Sequence, residues 1–386
     1  MITKPIPYGH QNITEEDIKA VVETLKSDYL TQGPKITEFE KAFAKYVGAE
    51  YAVAVCNATA ALHIAAMAAG VKPGDKVIVT PLTFAASANC VKYCGGEVVF
   101  CDIDKDTYLM DINKLRTLLQ SSPKGTYKGV IPVDFAGYPH KMEEFKALAD
   151  EYGMWIIEDA CHAPGGWFSD SKNEKQLCGN GKNAQMTIFS FHPVKHIATG
   201  EGGMVTTNDK DLYNKLCLYR SHGITKDSSK LEKNDGAWYY EMQELGYNYR
   251  ITDFQAALGI SQLKRANAGI NRRNEIAKRY TEAFSECDKI KTPFVANDVF
   301  HAYHLYIIQT DDRNGLFSYL RKNNILVQVH YYPLHLMPYY KQFGTKEGDF
   351  PIVERYYKHC VSLPMFPTLT EEEQEYVIEK VKEYIH

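Results

Sequence analysis

Residues 189–204, FSFHPVKHIATGEGGM, place one lysine, Lys195, in a proline-bounded turn between two apolar runs. Met186-Thr187-Ile188 precede the turn, and a glycine cluster leads from it into Met204-Val205-Thr206-Thr207. Such a lysine is either a solvated loop cation or a desolvated amine of lowered pKa that can form a Schiff base. Other chemistry-bearing residues also follow apolar runs. Asp159 comes after MWIIE, where an acid is costly unless a cation meets it. A structural ion pair would satisfy it, and so would the protonated nitrogen of a pyridine ring. Asn57-Ala58-Thr59 follow YAVAVC and open a helix. They either cap it or bring small residues and a positive helix end to a phosphate. Ser190, after QMTIF, either caps a turn or holds a phosphate oxygen. Phe84, closing TPLTF, is either core or a flat surface for a heteroaromatic ring.

These residues need elements to hold them. Apolar, β-branched runs predict strands over 51–56, 76–80, 98–102, 129–134, 154–158, 185–191 and 204–207. Helical patterns over 59–69, 84–93, 113–119 and 142–152 fall between most of them. That alternation predicts an α/β fold whose mostly parallel central sheet is covered by helices, with ligands beyond the carboxyl ends of the strands. Upstream, Thr14 and Asp17 signal a first helix with an apolar stripe of Ile18, Val21, Val22 and Leu25. Ile36, Phe39, Phe43 and Val47 mark a second helix that stops at Gly48. Beyond residue 250 one long helix is predicted from Asp253 to about Ser285. Its basic run of Lys264, Arg265, Arg272 and Arg273 reads first as a solvated face and second as a contact for a substrate phosphate. Strands over 303–309 and 326–331, and helices over 316–323 and 371–384, complete a smaller α/β unit. The expected division is therefore a large unit, 10–250, and a small C-terminal unit, 251–386, with the N-terminal segment packing nearby.

Several function classes are set aside by composition. The chain has 386 residues and a formal charge of −4, which disfavours a nucleic-acid partner. No apolar stretch is long enough for a membrane span, and the start, MITKPIPYGHQNITEED, lacks the apolar core of a secretory signal. Nine cysteines without a Cys-x-x-Cys pair point to a reducing cytoplasm rather than to disulfides or zinc. His192 and His196 lack the i, i+4 spacing of helical ligands, and no metal is expected. Gly179 to Ala184, GNGKNA, matches G-x-G-x-x-A, but a polar segment precedes it and a strand follows, so a dinucleotide site is rejected.

The ordered set of phosphate-holding helix start, aromatic, Asp, Ser and Lys resembles the fold-type I pyridoxal-phosphate enzymes. More narrowly, it resembles the DegT/DnrJ/EryC1/StrS sugar-nucleotide aminotransferases. The segments that carry the resemblance are YLTQGPKITEFEKAFAKYVG, NATAALHIA, TPLTFAASANC, VDFAGYP, IEDACHAPGG, FSFHPVKHIATGEGGMVTTND, RSHGI, LGYNYRITDFQAALG and QVHYYPLH. LTQG, FSFHPVK, EGG, RSHGI and QVHY are most similar to members acting in pseudaminic acid biosynthesis. The resemblance implies pyridoxal 5'-phosphate (PLP) as cofactor, glutamate as amino donor and a UDP-linked 4-keto-6-deoxy-N-acetylhexose as acceptor. It implies that Lys195 carries the cofactor and moves the proton, while Asp159 faces the ring nitrogen and Phe84 stacks on the ring. His162 stands where the family often has Gln, beside the cofactor's phenolic oxygen. Ala58, Thr59 and Ser190 are implied at the phosphate, joined by Asn248 from the neighbouring subunit of a homodimer. Tyr8, Asp28, Tyr29, Leu30, Thr31, Asn57, Ser190, Asn248, Gln328, Val329, His330 and Tyr331 match segments that touch the sugar nucleotide.

Overall fold

The computed structural model describes residues 4–385. Its centre is a seven-stranded sheet of β2 (Tyr51–Val55), β3 (Lys76–Val79), β4 (Glu97–Phe100), β5 (Tyr127–Ile131), β6 (Trp155–Asp159), β9 (Met186–Ser190) and β10 (Gly203–Thr207). The spatial order is β2-β10-β9-β6-β5-β3-β4. Every pairing is parallel except those of β10 with β2 and β9. Residues 191–202, between β9 and β10, contain no helix, so the chain turns back instead of crossing over. Crossovers elsewhere carry α3 (Ala58–Ala68), α4 (Ala86–Tyr93), α5 (Ile112–Gln120) and α6 (Met142–Tyr152). Adjacent strand residues feed opposite faces: Ile78 and Ile156 join one apolar cluster, Val79 and Ile157 another. The sheet is buried on both sides, as the Val- and Ile-rich strands require.

The parallel order brings Asn57, Asp159 and Ser190, at the ends of β2, β6 and β9, to one edge. Gly203, the first residue of antiparallel β10, pairs there with both Val55 and Ser190. A side chain on Gly203 would lie 2.6 Å from the Asn57 carbonyl and 2.7 Å from Ala58 N. Glycine is therefore needed for β10 to pass the start of α3.

Helices α1 (Glu15–Leu25) and α2 (Pro34–Val47) precede the sheet, and α2 buries its predicted stripe before Gly48 at φ 81°. The α1 stripe does not enter the core. Ile18, Val22 and Leu25 are exposed, whereas Asp17 and Thr24 are buried against α8 (Asp253–Leu263). The helix expected over 253–285 is two helices, because Arg265 leaves the helical conformation between α8 and α9 (Ala266–Phe284). Its guanidinium is drawn to Asp17 and to the Asn12 carbonyl. The basic run is a solvated face only in part: Lys264 is exposed, but Arg273 is 1% exposed and bonds three backbone carbonyls.

The remaining pieces are short. β1 (Ile6–Pro7) pairs with β15 (Ile325–Leu326), β7 (Trp167–Ser169) with β8 (Lys175–Leu177) and β13 (Val299–Phe300), and β11 (Ile224–Thr225) with β12 (Glu241–Met242). β14 (Tyr306–Gln309) pairs with β16 (Cys360–Leu363), while α7 (Lys210–Arg220), α10 (Arg313–Lys322), α11 (Pro338–Lys341), α12 (Pro351–His359) and α13 (Glu371–Ile385) complete the chain. A separate apolar cluster joins Tyr280 and Phe284 to Tyr306, Leu316 and Val377. Among the described residues, no helix is long and apolar enough to cross a membrane.

Candidate active site

A cavity of about 510 Å³ opens at the edge where the strand ends meet. Residues from distant parts of the chain line it: Asn57, Ala58 and Thr59 after β2, Phe84 after β3, Asp159 at the end of β6 and His162 beyond it, Ser190 at the end of β9 and Lys195 beyond it. Tyr8, His330 and Tyr331 enter from the other side.

Lys195 sits in a turn closed by its own N–H donating to the His192 carbonyl at 2.8 Å. Burial pushes its amine down to about 8, against the opposing pull of the nearby Cys161 and Asp159. A useful fraction is therefore neutral near physiological pH. Asp159 is 4% exposed and held in place rather than ion-paired. Ser87 Oγ donates to its Oδ2 at 2.6 Å, and the Cys161 N–H donates to Oδ1 at 3.1 Å. Behind Ser87, the Thr83 hydroxyl lies 2.7 Å away. Phe84 is not core: it is 62% exposed, with its ring 6.4 Å from that of Tyr331.

At the start of α3, the Asn57 side chain accepts from the Ala60 N–H at 2.8 Å, so Asn57 does cap the helix while lining the cavity. Among the described residues, no acceptor takes the Ala58 or Thr59 N–H. Free helix-start donors beside the Ser190 hydroxyl, crossed closely by Gly203, form a cradle suited to an oxyanion. The adjoining turn is fixed through the Glu201 carbonyl, which accepts from Thr199 Oγ1 and Gln255 Nε2, both at 2.8 Å.

His162 accepts the Ala136 N–H on Nδ1 at 3.2 Å, so the neutral ring carries its proton on Nε2. That nitrogen is 3.4 Å from the Tyr331 hydroxyl. Burial first, then the charge of Lys195, holds His162 well below the ordinary histidine pKa. His304 packs on it with ring centroids 4.3 Å apart and is neutral for the same reasons. On the opposite wall, Tyr8 stacks obliquely on His330 at 5.2 Å, and His330 Nδ1 contacts Ser362 Oγ at 2.8 Å.

Several sequence candidates lie away from this cavity in the single chain. Asp28 and Tyr29 line a different surface depression, beside which Thr31 bridges Thr252 and the Leu30 carbonyl accepts from Asp253. Asn248 pairs with Ser221, Gln328 pairs with Ser362, and Val329 packs on the core. Conversely, Thr83, Ser87, Val133, Cys161, Glu201 and His304 line the cavity without having been read from the sequence. Ser87 offered no more than its place one helical turn after Phe84, which any small helical residue could hold. Elsewhere, buried Asp134, Glu158 and Cys178 lie together, and burial pushes the Asp134 carboxyl up to about 7.

The sequence model of the DegT/DnrJ/EryC1/StrS aminotransferase family matches residues 11–382. The chain is 42% identical to the spore coat polysaccharide biosynthesis protein SpsC of Bacillus subtilis, over 98% of this chain and 97% of that one. It is 38% identical to the UDP-4-amino-4,6-dideoxy-N-acetyl-beta-L-altrosamine transaminase of Campylobacter jejuni, over 98% of both. Among solved structures, it is similar to Spr1654 of Streptococcus pneumoniae, named as a sugar aminotransferase, in its PLP-form. The TM-score is 0.88 at 30% identity, covering 98% of each chain. With a match of this extent, the chain belongs to the DegT/DnrJ/EryC1/StrS aminotransferase family, a family of enzymes.

Proposed function

We propose that this enzyme is a PLP-dependent transaminase in pseudaminic acid biosynthesis. It moves an amine from glutamate to C4 of UDP-2-acetamido-2,6-dideoxy-β-L-arabino-hex-4-ulose, a UDP-linked 4-keto-6-deoxy-N-acetylhexose. The observation that carries the reading is a single cavity shared by a lysine amine lowered to about 8, a buried carboxylate and a cradle of free N–H donors.

Those residues fit PLP. Ala58, Thr59 and Ser190 suit its phosphate, and Phe84 offers an exposed ring face for stacking. Asp159, fixed by Ser87 and Cys161, would keep the ring nitrogen protonated, and His162 would stand beside the phenolic oxygen. When bound, the cofactor supplies an electron sink for negative charge at the reacting carbon. Lys195 anchors it through Nζ and, when displaced, takes a proton from one carbon and returns it to another. Tyr8, Asn57, His330 and Tyr331 line the space left for a sugar nucleotide.

Asn248 and Asp28 to Thr31 belong, in this reading, to the neighbouring subunit's site in a cytoplasmic homodimer. The exposed α1 stripe of Ile18, Val22 and Leu25 supports such an apolar contact. Gln328 and Val329 act through the backbone that carries His330 and Tyr331. Residues 10–250 form the cofactor-binding unit and 251–386 the smaller one. The similarity to SpsC favours a second reading, a different 3- or 4-keto nucleotide sugar as acceptor.

The experiment is incubation with ¹⁵N-glutamate and a panel of UDP-linked 3- and 4-ketosugars, followed by mass. Gain of the label by the L-arabino 4-ulose is the expected result, abolished in Lys195→Ala and severely slowed in Asp159→Asn. Labelling of a different sugar selects the second reading, and labelling of none contradicts both.

A further inference from the structure

Lys195 also lines a second cavity, of about 200 Å³, with His10, His196, Arg265, Arg272 and Arg273. It lies where the N-terminal segment, the start of α9 and the loop at Pro367 meet. Among the described residues, no carboxylate lines it. Two of its arginines are already matched, Arg265 by Asp17 and Arg272 by Glu275 at 3.0 Å. Arg273 is not. Its Nη1 donates to the carbonyls of Tyr303, His304 and Met365 at 3.2, 3.3 and 2.7 Å, while its buried Nε–H has no partner among the described residues. A buried guanidinium without a counter-ion is costly, the more so beside a second cation such as Lys195.

His196 supplies the complementary gap. Its Nε2 bonds the Ala302 carbonyl at 2.8 Å, so in the neutral ring Nδ1 is an acceptor, and Nδ1 is buried without a partner among the described residues. The residues around one small space thus leave a charged donor and a neutral acceptor unclaimed.

We propose that this cavity binds a small oxyanion that can itself carry a proton, hydrogen phosphate or a short dicarboxylate. Its oxygens satisfy the Arg273 charge, its proton suits His196, and its negative charge favours the protonated state of the Lys195 nitrogen. By reciprocity, the anion binds more tightly when that nitrogen holds its proton. One added charge in the adjoining cavity moves the lysine nitrogen's apparent pKa up by about one unit, roughly tenfold in the ratio of its two forms.

The test uses the holoenzyme, in which PLP fills the oxyanion cradle of the main cavity. Calorimetry with phosphate, succinate and chloride at matched ionic strength is run on the parent, Arg272→Leu and His196→Gln, which keeps a donor toward the Ala302 carbonyl but loses the Nδ1 acceptor. Arg273 is left intact because it clamps three carbonyls. Expected is one phosphate or succinate per chain, bound about tenfold or more weakly in each folded variant. The pH midpoint of the visible band, which reports the proton on Lys195 Nζ, should also rise by about one unit with the bound anion. Phosphate binding alone identifies a phosphate site, and succinate binding alone a carboxylate site. Heats no larger than chloride's, or affinities unchanged in both variants, overturn the proposal. A protein with no visible band instead counts against the PLP reading, and the calorimetry then decides the anion site by itself.

Discussion

Ser87→Ala removes the hydroxyl that holds Asp159. Ser87 is 1% exposed and its Oγ lies 2.6 Å from Asp159 Oδ2. A hydrogen bond to a charged group contributes about 1.5–3 kcal/mol, and burial keeps water from replacing the lost donor. The carboxylate would keep only the Cys161 N–H at 3.1 Å, and Thr83 would lose its 2.7 Å partner as well. The expected loss of unfolding free energy is therefore about 2–3 kcal/mol. A double-mutant cycle with Asp159→Asn should assign about 1.5–3 kcal/mol of it to the pair itself. The assay is urea unfolding of the cofactor-free protein, followed by tryptophan fluorescence and circular dichroism, whose transitions must coincide before free energies are compared. Cofactor affinity should fall in the same proportion, about 30- to 150-fold. A coupling below about 0.5 kcal/mol would refute the assignment of Ser87 as the residue that positions Asp159.

Covalent capture of pyridoxal phosphate by Lys195 requires the neutral amine, so its rate should reach half-maximum near pH 8, where burial places that group. A profile still rising past about pH 10 would restore an ordinary, solvated lysine. Burial lifts the Asp134 carboxyl from 3.8 to about 7, so between those values the folded chain holds more protons than the unfolded one. That group by itself makes stability decline as pH rises through the window, against the opposite contribution of buried His140, so the parent's stability relative to Asp134→Asn should fall with pH; a parent-to-variant difference independent of pH contradicts this. Gly203→Ala forces a side chain to within 2.6 Å of the Asn57 carbonyl. It should cost about 1–3 kcal/mol and release cofactor faster, and unaltered retention would show that the close crossing is dispensable. Hybrids of Lys195→Ala and Asn248→Ala chains should recover activity above either parent variant if a neighbouring subunit completes the site, and none if each chain works alone.

Which parts of the site were legible follows from how the fold positions them. Lys195, Asp159, Ser190 and Asn57 each follow an apolar run, and parallel strands bring such residues to one edge. Ser87 and His304 carry no comparable mark. Ser87 looks like any small residue inside a helix, and His304 arrives from more than a hundred residues further along the chain. Periodicity revealed the α1 stripe but not its surroundings: among the described residues Ile18, Val22 and Leu25 stay 40% to 52% exposed. Composition suggested that Arg273 faces water, yet three backbone carbonyls draw it inside. The break at Arg265 depends on Asp17, almost 250 residues away in sequence. The β7–β8 hairpin was hidden in a polar, strand-poor stretch. Rejecting GNGKNA on context was sound, since that segment runs between β8 and β9 and opens no helix.

The most direct test of the account is hydride reduction of the PLP-loaded protein followed by peptide mass mapping. The account predicts a single pyridoxyl-modified residue, Lys195, with loss of the visible band and of amine transfer. A protein that stays colourless with added PLP, or carries the reduced label on another lysine, would contradict it.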